Sequence, residues 1–276
     1  MSHHRIARAA ALTFTAVVLI VSGCSSASDH ASAPKVPPVP AVKVVELNPE
    51  LDHLHGLHIG AAGTIVAGTH SGLFAIDPSG VTSRVGGSDD DFMGLTGVPG
   101  SDLVFASGHP GESSSTPNPL GLRHSADGGQ TWVDKSLVGD VDFHALVTDG
   151  VVVAGSDGTT ILVSADAGTT WASGAAMRVA SLAITESGVW AVTDDGLQHS
   201  TDGARSFSVE PDAPSLVILA GAGDALWGID VEGNAWRSRE GQDWQVHSYV
   251  GSVEALTAAN YDTAYAATTR SLYTLD

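Results

Sequence analysis

Short apolar runs rich in Val, Leu, Ile and Ala recur along most of the chain, each closed by Gly, Asp or Ser. Residues 64–67 (TIVA), 103–106 (LVFA), 151–154 (VVVA), 189–192 (VWAV), 225–227 (ALW) and 264–267 (AYAA) make one set. A second set precedes them around Leu57, Leu95, Leu146, Leu182, Ile218 and Leu256. A third follows, as GLF at 72–74, GLR at 121–123, GLQ at 196–198 and SLY at 271–273. Runs this short, bounded by turn residues, predict strands. No stretch carries apolar residues at helical spacing.

The runs keep phase with a turn motif. Residues 125–132 read SADGGQTW and residues 164–171 read SADAGTTW, sharing Ser125, Asp127, Gly129 and Trp132 with Ser164, Asp166, Gly168 and Trp171. Residues 200–207 (STDGARSF) keep Ser200 and Asp202, while residues 238–244 (SREGQDW) carry Glu240 for Asp and are one residue short. The serines at 125, 164, 200 and 238 lie 39, 36 and 38 residues apart, an interval of repeat architectures. In such a turn Asp and Ser side chains bond turn amides, Gly takes positive φ at no steric cost, and Trp packs onto the neighbouring unit.

From Ala41 to Asp276 that interval fits about six units of four strands. The expected fold is an all-β β-propeller of six four-stranded blades, with a seven-bladed ring as the alternative. The sixth unit ends at its third strand, and residues 42–47 belong to no unit. They are expected to supply the missing outer strand and close the ring.

Ahead of the propeller, residues 1–23 have the form of a targeting segment: His3, His4, Arg5 and Arg8 open it and an apolar run over 9–21 follows. The run is too short for a stable membrane span. It ends in Val21-Ser22-Gly23-Cys24, which resembles a bacterial lipobox and implies cleavage before Cys24 with lipid on that residue. Residues 24–41 are rich in Ser, Ala and Pro and read as an extended tether. Cys24 is the chain's one cysteine, so the propeller has neither a disulfide nor a thiolate ligand.

Charge narrows the partners. Subtracting Arg5 and Arg8 from the 12 Lys and Arg leaves 10 against 31 acids, a formal charge of −21 after cleavage. That excludes nucleic acid as an expected partner and favours cations. The expected setting is the extracytoplasmic face of the bacterial membrane, as a monomer held by lipid on Cys24, with a metal ion or an envelope protein as partner.

In the predicted blades, the entries of the first strands and the loops between second and third strands converge on one axial mouth. Aligning the first strands puts His55, Met93, His144, Ala180, Leu216 and Glu254 in one slot, with His53, Asp91 and Asp142 two residues earlier in three of the blades. The loops add His70, His109, Asp157, Asp194 and Asp230. Imidazoles, carboxylates and a thioether around a pore suit copper or zinc. His55, His144 and either His70 or His109 are the expected ligands, with Met93 as a soft fourth and His53, Asp91, Asp142 and Glu254 in support. His124, His199 and His247 fall on outer strands and are not expected to ligate. The Pro-rich stretch 110–119 after His109 could cover the mouth or be a passive insertion.

The turn motif resembles the Asp-box, or bacterial neuraminidase repeat, of sialidases, sortilin-type receptors and photosystem assembly propellers. There the box is a structural turn away from the active site, which implies no catalytic role for Asp127 or Asp166. Residues 47–276, with DHLHGLH, THSGLF, DFMGL, SGHP and DFHAL, resemble a group of bacterial propeller lipoproteins, common in actinobacteria, known as glycosyl hydrolase-like. Sialidase chemistry needs an arginine cluster and a Tyr–Glu nucleophile pair, and the arginine motif ahead of the first box is absent. A binding module is therefore expected rather than an enzyme. The alternatives are a glycoside hydrolase or sugar binder using Asp142 with Glu254, and an interaction platform without a small ligand.

Overall fold

The computed structural model describes residues 42–276. The targeting segment, Cys24 and the tether lie outside the described residues.

All regular structure among the described residues is β. The first strand among the described residues is β1 (Lys43–Glu46), and blade 1 follows as β2 (Leu54–Ile59), β3 (Ile65–Thr69), β4 (Gly72–Ile76) and β5 (Thr82–Arg84). Blade 2 holds β6 (Asp91–Gly97), β7 (Val104–His109), β8 (Leu122–Ser125) and β9 (Val133–Ser136). Blade 3 follows with β10 (Ala145–Thr148), β11 (Val153–Ser156), β12 (Ile161–Ser164) and β13 (Ala172–Ser173). Blade 4 comprises β14 (Ser181–Thr185), β15 (Gly188–Thr193), β16 (Gly196–Ser200) and β17 (Ser208–Val209). Blade 5 has β18 (Leu216–Ala222), β19 (Ala225–Asp230), β20 (Asn234–Arg239) and β21 (Gln242–Tyr249). The last strands are β22 (Ala255–Ala258), β23 (Ala264–Ala267) and β24 (Ser271–Leu275).

Each blade is an antiparallel sheet in chain order, and the sixth has the order β1-β24-β23-β22. Lys43 pairs with Thr274 and Glu46 with Ser271, so the first described strand closes the ring as the sequence predicts. The innermost strands β2, β6, β10, β14, β18 and β22 touch in a cycle. Six blades, not seven, complete the propeller.

The core lies in the seams between blades. Val66 and Leu73 of blade 1 pack with Phe92, Leu95 and Val104 of blade 2, and Trp227 and Ile229 of blade 5 pack with Leu256 and Ala266 of blade 6. Near the axis the inner strands approach so closely that side chains are excluded at several points, Gly56 and Gly94 among them. A Cβ on Gly56 would lie 2.9 Å from the Leu95 carbonyl, and one on Gly94 would lie 2.4 Å from the Phe143 carbonyl.

The repeated turns join third to fourth strands. Ser125 Oγ donates to Asp127 Oδ1 at 2.7 Å and accepts from Gly129 N at 2.8 Å, while Asp127 Oδ1 accepts from Thr131 N at 2.9 Å. Ser164, Asp166, Gly168 and Thr170 repeat these bonds at 2.7, 2.8 and 2.7 Å. Ser200 and Asp202 do so with Ala204 and Ser206. The Thr131 hydroxyl and amide hold Asp127 down to about 2, and the Thr170 amide with the Ser164 and Thr170 hydroxyls does the same for Asp166. Trp132 packs on Phe92 and Trp171 on Phe143, with ring centroids 4.8 and 5.0 Å apart. In blade 5 Glu240 leaves this pattern. Its Oε2 accepts from Thr185 Oγ1 at 2.6 Å, tying the turn to blade 4.

Candidate functional site

Every inner strand enters the ring in the same way. The first residues paired to the second strand include Gly56, Gly94, Ala145, Ser181, Ile218 and Ala255, and the residue just ahead of each occupies the slot at the mouth. One position earlier Leu54, Phe92, Phe143, Leu216 and Val253 are buried in the seams. Because successive side chains alternate, an apolar plug at that position directs the next side chain out of the core. The slot is therefore His55, Met93, His144, Ala180, Val217 and Glu254. Leu216, expected there, is a seam residue: Leu219 rather than Ile218 is the counterpart of Leu57, and the same register shift that lies between Leu54 and Gly56 lies between Leu216 and Ile218, which puts Val217 in the slot.

His55, His144, Ala180 and Glu254 line an axial channel of about 170 Å³, whose throat is made by Leu57, Leu95, Leu146 and their counterparts. Met93 shares the register but is not among the residues lining this channel.

Two clusters occupy the mouth. In the first, His55 Nε2 lies 3.3 Å from His70 Nδ1 and 3.7 Å from Asp91 Oδ1, and His70 Nδ1 lies 3.0 Å from that same oxygen. One ligand atom from each of the three residues lies within 4.8 Å of the others. His53 packs beside them, its ring centroid 4.8 Å from that of His55 and 5.4 Å from that of His70. Burial pushes His55 down to about 4. The neighbouring His70 and His53 add to that fall and Asp91 opposes it. His55 thus presents a neutral imidazole, the form that binds metals. Glu254 closes this side, accepting from Leu54 N at 2.9 Å and lying 2.9 Å from His53 Nδ1.

In the second cluster Asp142 Oδ2 lies 3.2 Å from His109 Nε2 and 2.9 Å from His144 Nε2. Asn118 Oδ1 accepts from His109 Nδ1 at 2.9 Å. His70 and His109, alternatives in the sequence, serve one cluster each.

No protein-family model and no curated protein matches the chain. Solved structures do. A structure of YCF48 bound to D1 peptide superposes with a TM-score of 0.55 at 14% identity, covering 86% of this chain and 99% of that one. The GH74 enzyme of Niastella koreensis gives 0.57 at 12%, over 83% of this chain and 42% of the other. Virginiamycin B lyase from Staphylococcus aureus gives 0.54 at 10%, over 85% and 98%. All three likenesses are of fold alone. The chain is a β-propeller.

Other polar residues near the mouth serve the backbone. Asp157 Oδ1 accepts from Thr159 N and Thr160 N, each at 2.8 Å, within its own turn. Asp230 accepts from Asn234 N at 2.8 Å and Trp236 Nε1 at 2.7 Å. His124 lies on β8, and His199, on β16, stacks on Trp190 with centroids 3.8 Å apart. His247 is buried on β21 beside Trp227. The stretch 110–119 is tied to the entry of blade 2: Gly111 N donates to Asp90 Oδ1 at 3.0 Å and Ser113 N to Asp89 Oδ2 at 3.1 Å. It supplies Asn118 to the second cluster, a role that spacing did not signal.

Proposed function

We propose that this chain is a lipid-anchored, extracytoplasmic propeller of the Asp-box type that binds a transition-metal ion, zinc or copper, at its axial mouth. One observation carries the reading: His55, His70 and Asp91, remote in sequence and drawn from two blades, bring their ligand atoms within 4.8 Å of one another. Two imidazoles and a carboxylate form a donor set suited to zinc with an open position, and Met93 in the next slot is the soft donor that would favour copper. The lipobox-like Cys24 and the acidic composition support attachment outside the cytoplasm, where an envelope protein is the natural recipient or source of the ion. The chain acts here as a monomeric binding module.

The test is metal content. Protein produced without a His tag, loaded with zinc or copper and dialysed, is expected to retain the metal, and H55A, H70A and D91N variants to retain less of it than the wild type. Wild-type protein that retains neither metal overturns the proposal. A copper preference lost in M93A would separate copper from zinc. The glycoside hydrolase alternative would use Asp142 and Glu254, but both stand against imidazoles. Turnover of chromogenic glycosides that disappears on replacing either carboxylate would favour it instead.

A further inference from the structure

One blade further round, His109 and Asp142 match His70 and Asp91, but the slot of that blade is Met93 and the second imidazole is His144 of the following blade. Among the described residues only the first cluster brings three ligand atoms within 4.8 Å of one another, so the imidazoles of His109 and His144 would have to draw in around Asp142 to share an ion. His70 follows β3 and His109 ends β7, so each leaves the second strand of its blade. Asp91 and Asp142 each stand two residues ahead of a slot position and face the imidazole of the preceding blade. The two clusters share a pivot: Asp91 and His109 are backbone partners across β6 and β7. Asp91 reaches back to blade 1 and His109 forward to blade 3.

Asp142 is left incomplete by the protein. Its Oδ2 is flanked by two imidazole nitrogens, whereas its Oδ1 is buried and has no hydrogen-bond partner. A buried acceptor without a partner is costly, and a cation held by the carboxylate would offset that cost. On the other side, Asn118 Oδ1 accepts a hydrogen bond from Nδ1–H of His109, which keeps Nε2 free to ligate a cation lying between it and the carboxylate. Fixing one ring nitrogen by an outer hydrogen bond is how proteins orient ligating histidines.

We propose that the mouth holds a second divalent transition-metal site, with His109 Nε2, Asp142 and His144 Nε2 as ligands and Asn118 as the group that orients His109. It extends the metal-binding reading of the first cluster and rests on it. His55 and His144 line the same channel, so the two ions would share one entrance.

Zinc stoichiometry tests this on the folded chain, by calorimetric titration and elemental analysis. Two equivalents are expected for the wild type, one for D142N and for H109Q, and one for the H55A/H70A pair. Cobalt(II) titrated into the unaltered protein reads the same count from its visible absorbance, independently of any variant. Saturation at one equivalent, or two equivalents that survive both D142N and H109Q, overturns the second site and leaves the first standing. No bound zinc or cobalt in the wild type overturns both.

Discussion

His70 Nδ1 lies 3.0 Å from Asp91 Oδ1 across the seam between blades 1 and 2. An ion held by both would clamp that seam. Zinc or copper at about one hundred times its dissociation constant should add about 2.7 kcal/mol of stability, which for a domain of this size raises the melting temperature by roughly 5–10 °C. Calorimetry of wild type and D91A with and without metal checks this. A melting temperature unmoved by metal in the wild type contradicts the clamp.

The closeness of the inner strands makes a second expectation. Gly94→Ala sets a Cβ against the Phe143 carbonyl and the Leu146 side chain, whereas at Gly87 the space is open. Overpacking of this kind costs about 1–3 kcal/mol, so G94A should unfold at lower denaturant and G87A should behave as wild type.

How much of this was legible in the sequence depends on what sets each feature. The turn motif is built from local hydrogen bonds within a few residues, so its period located the blades and the pairing of residues 42–47 with the last of them. The slot followed wherever a Gly-Leu or Ala-Leu pair marked the register, which covers His55, Met93, His144 and Glu254. Blade 5 lacks that mark. There Ile218 and Leu219 are both apolar, Leu219 is the true counterpart of Leu57, and alignment on Ile218 put Leu216 where Val217 stands. Which of His70 and His109 joins which partner depends on loop paths across blades. Asn118 could be placed only once the bonds from Asp89 and Asp90 to residues 111 and 113 were seen.

Acid should weaken the turns. Asp127 and Asp166 are held at about 2, below the ordinary carboxylate value near 3.9, by hydroxyl and amide donors. Their contribution is fully present above about pH 4 and is lost as pH falls through about 2. Denaturant titrations at pH 5 and pH 2.5 should show a smaller decrease for a D127N/D166N variant than for the wild type. An equal decrease in both would rule these carboxylates out as the source.

Trp171 and Ser136 join blades 3 and 2. The indole N–H donates to Ser136 Oγ at 2.9 Å, and that hydroxyl donates to the Gly168 carbonyl at 2.6 Å. S136A should cost about 1–2 kcal/mol. Combining S136A with W171F should cost less than the two separate changes summed, because both remove the same bond. Strict additivity in equilibrium unfolding would show the bond to be inert.

Removing residues 42–47 should expose the edge of β24, whose partners include Val45 for Leu272. An unpaired edge pairs with another chain. Size-exclusion chromatography should show dimers or aggregates, together with a fall in melting temperature. A stable truncated monomer would show that closure contributes little.

The same pairing orders events in time. Val45, among the first propeller residues made, finds Leu272 only after every other blade has been synthesised. Bringing together segments so distant in the chain is slow. Until then the sixth sheet has three strands, and the ring stays an open arc. The earliest strand to emerge is the last to find its place, so loss of even the terminal strand would strand both ends of the chain at once.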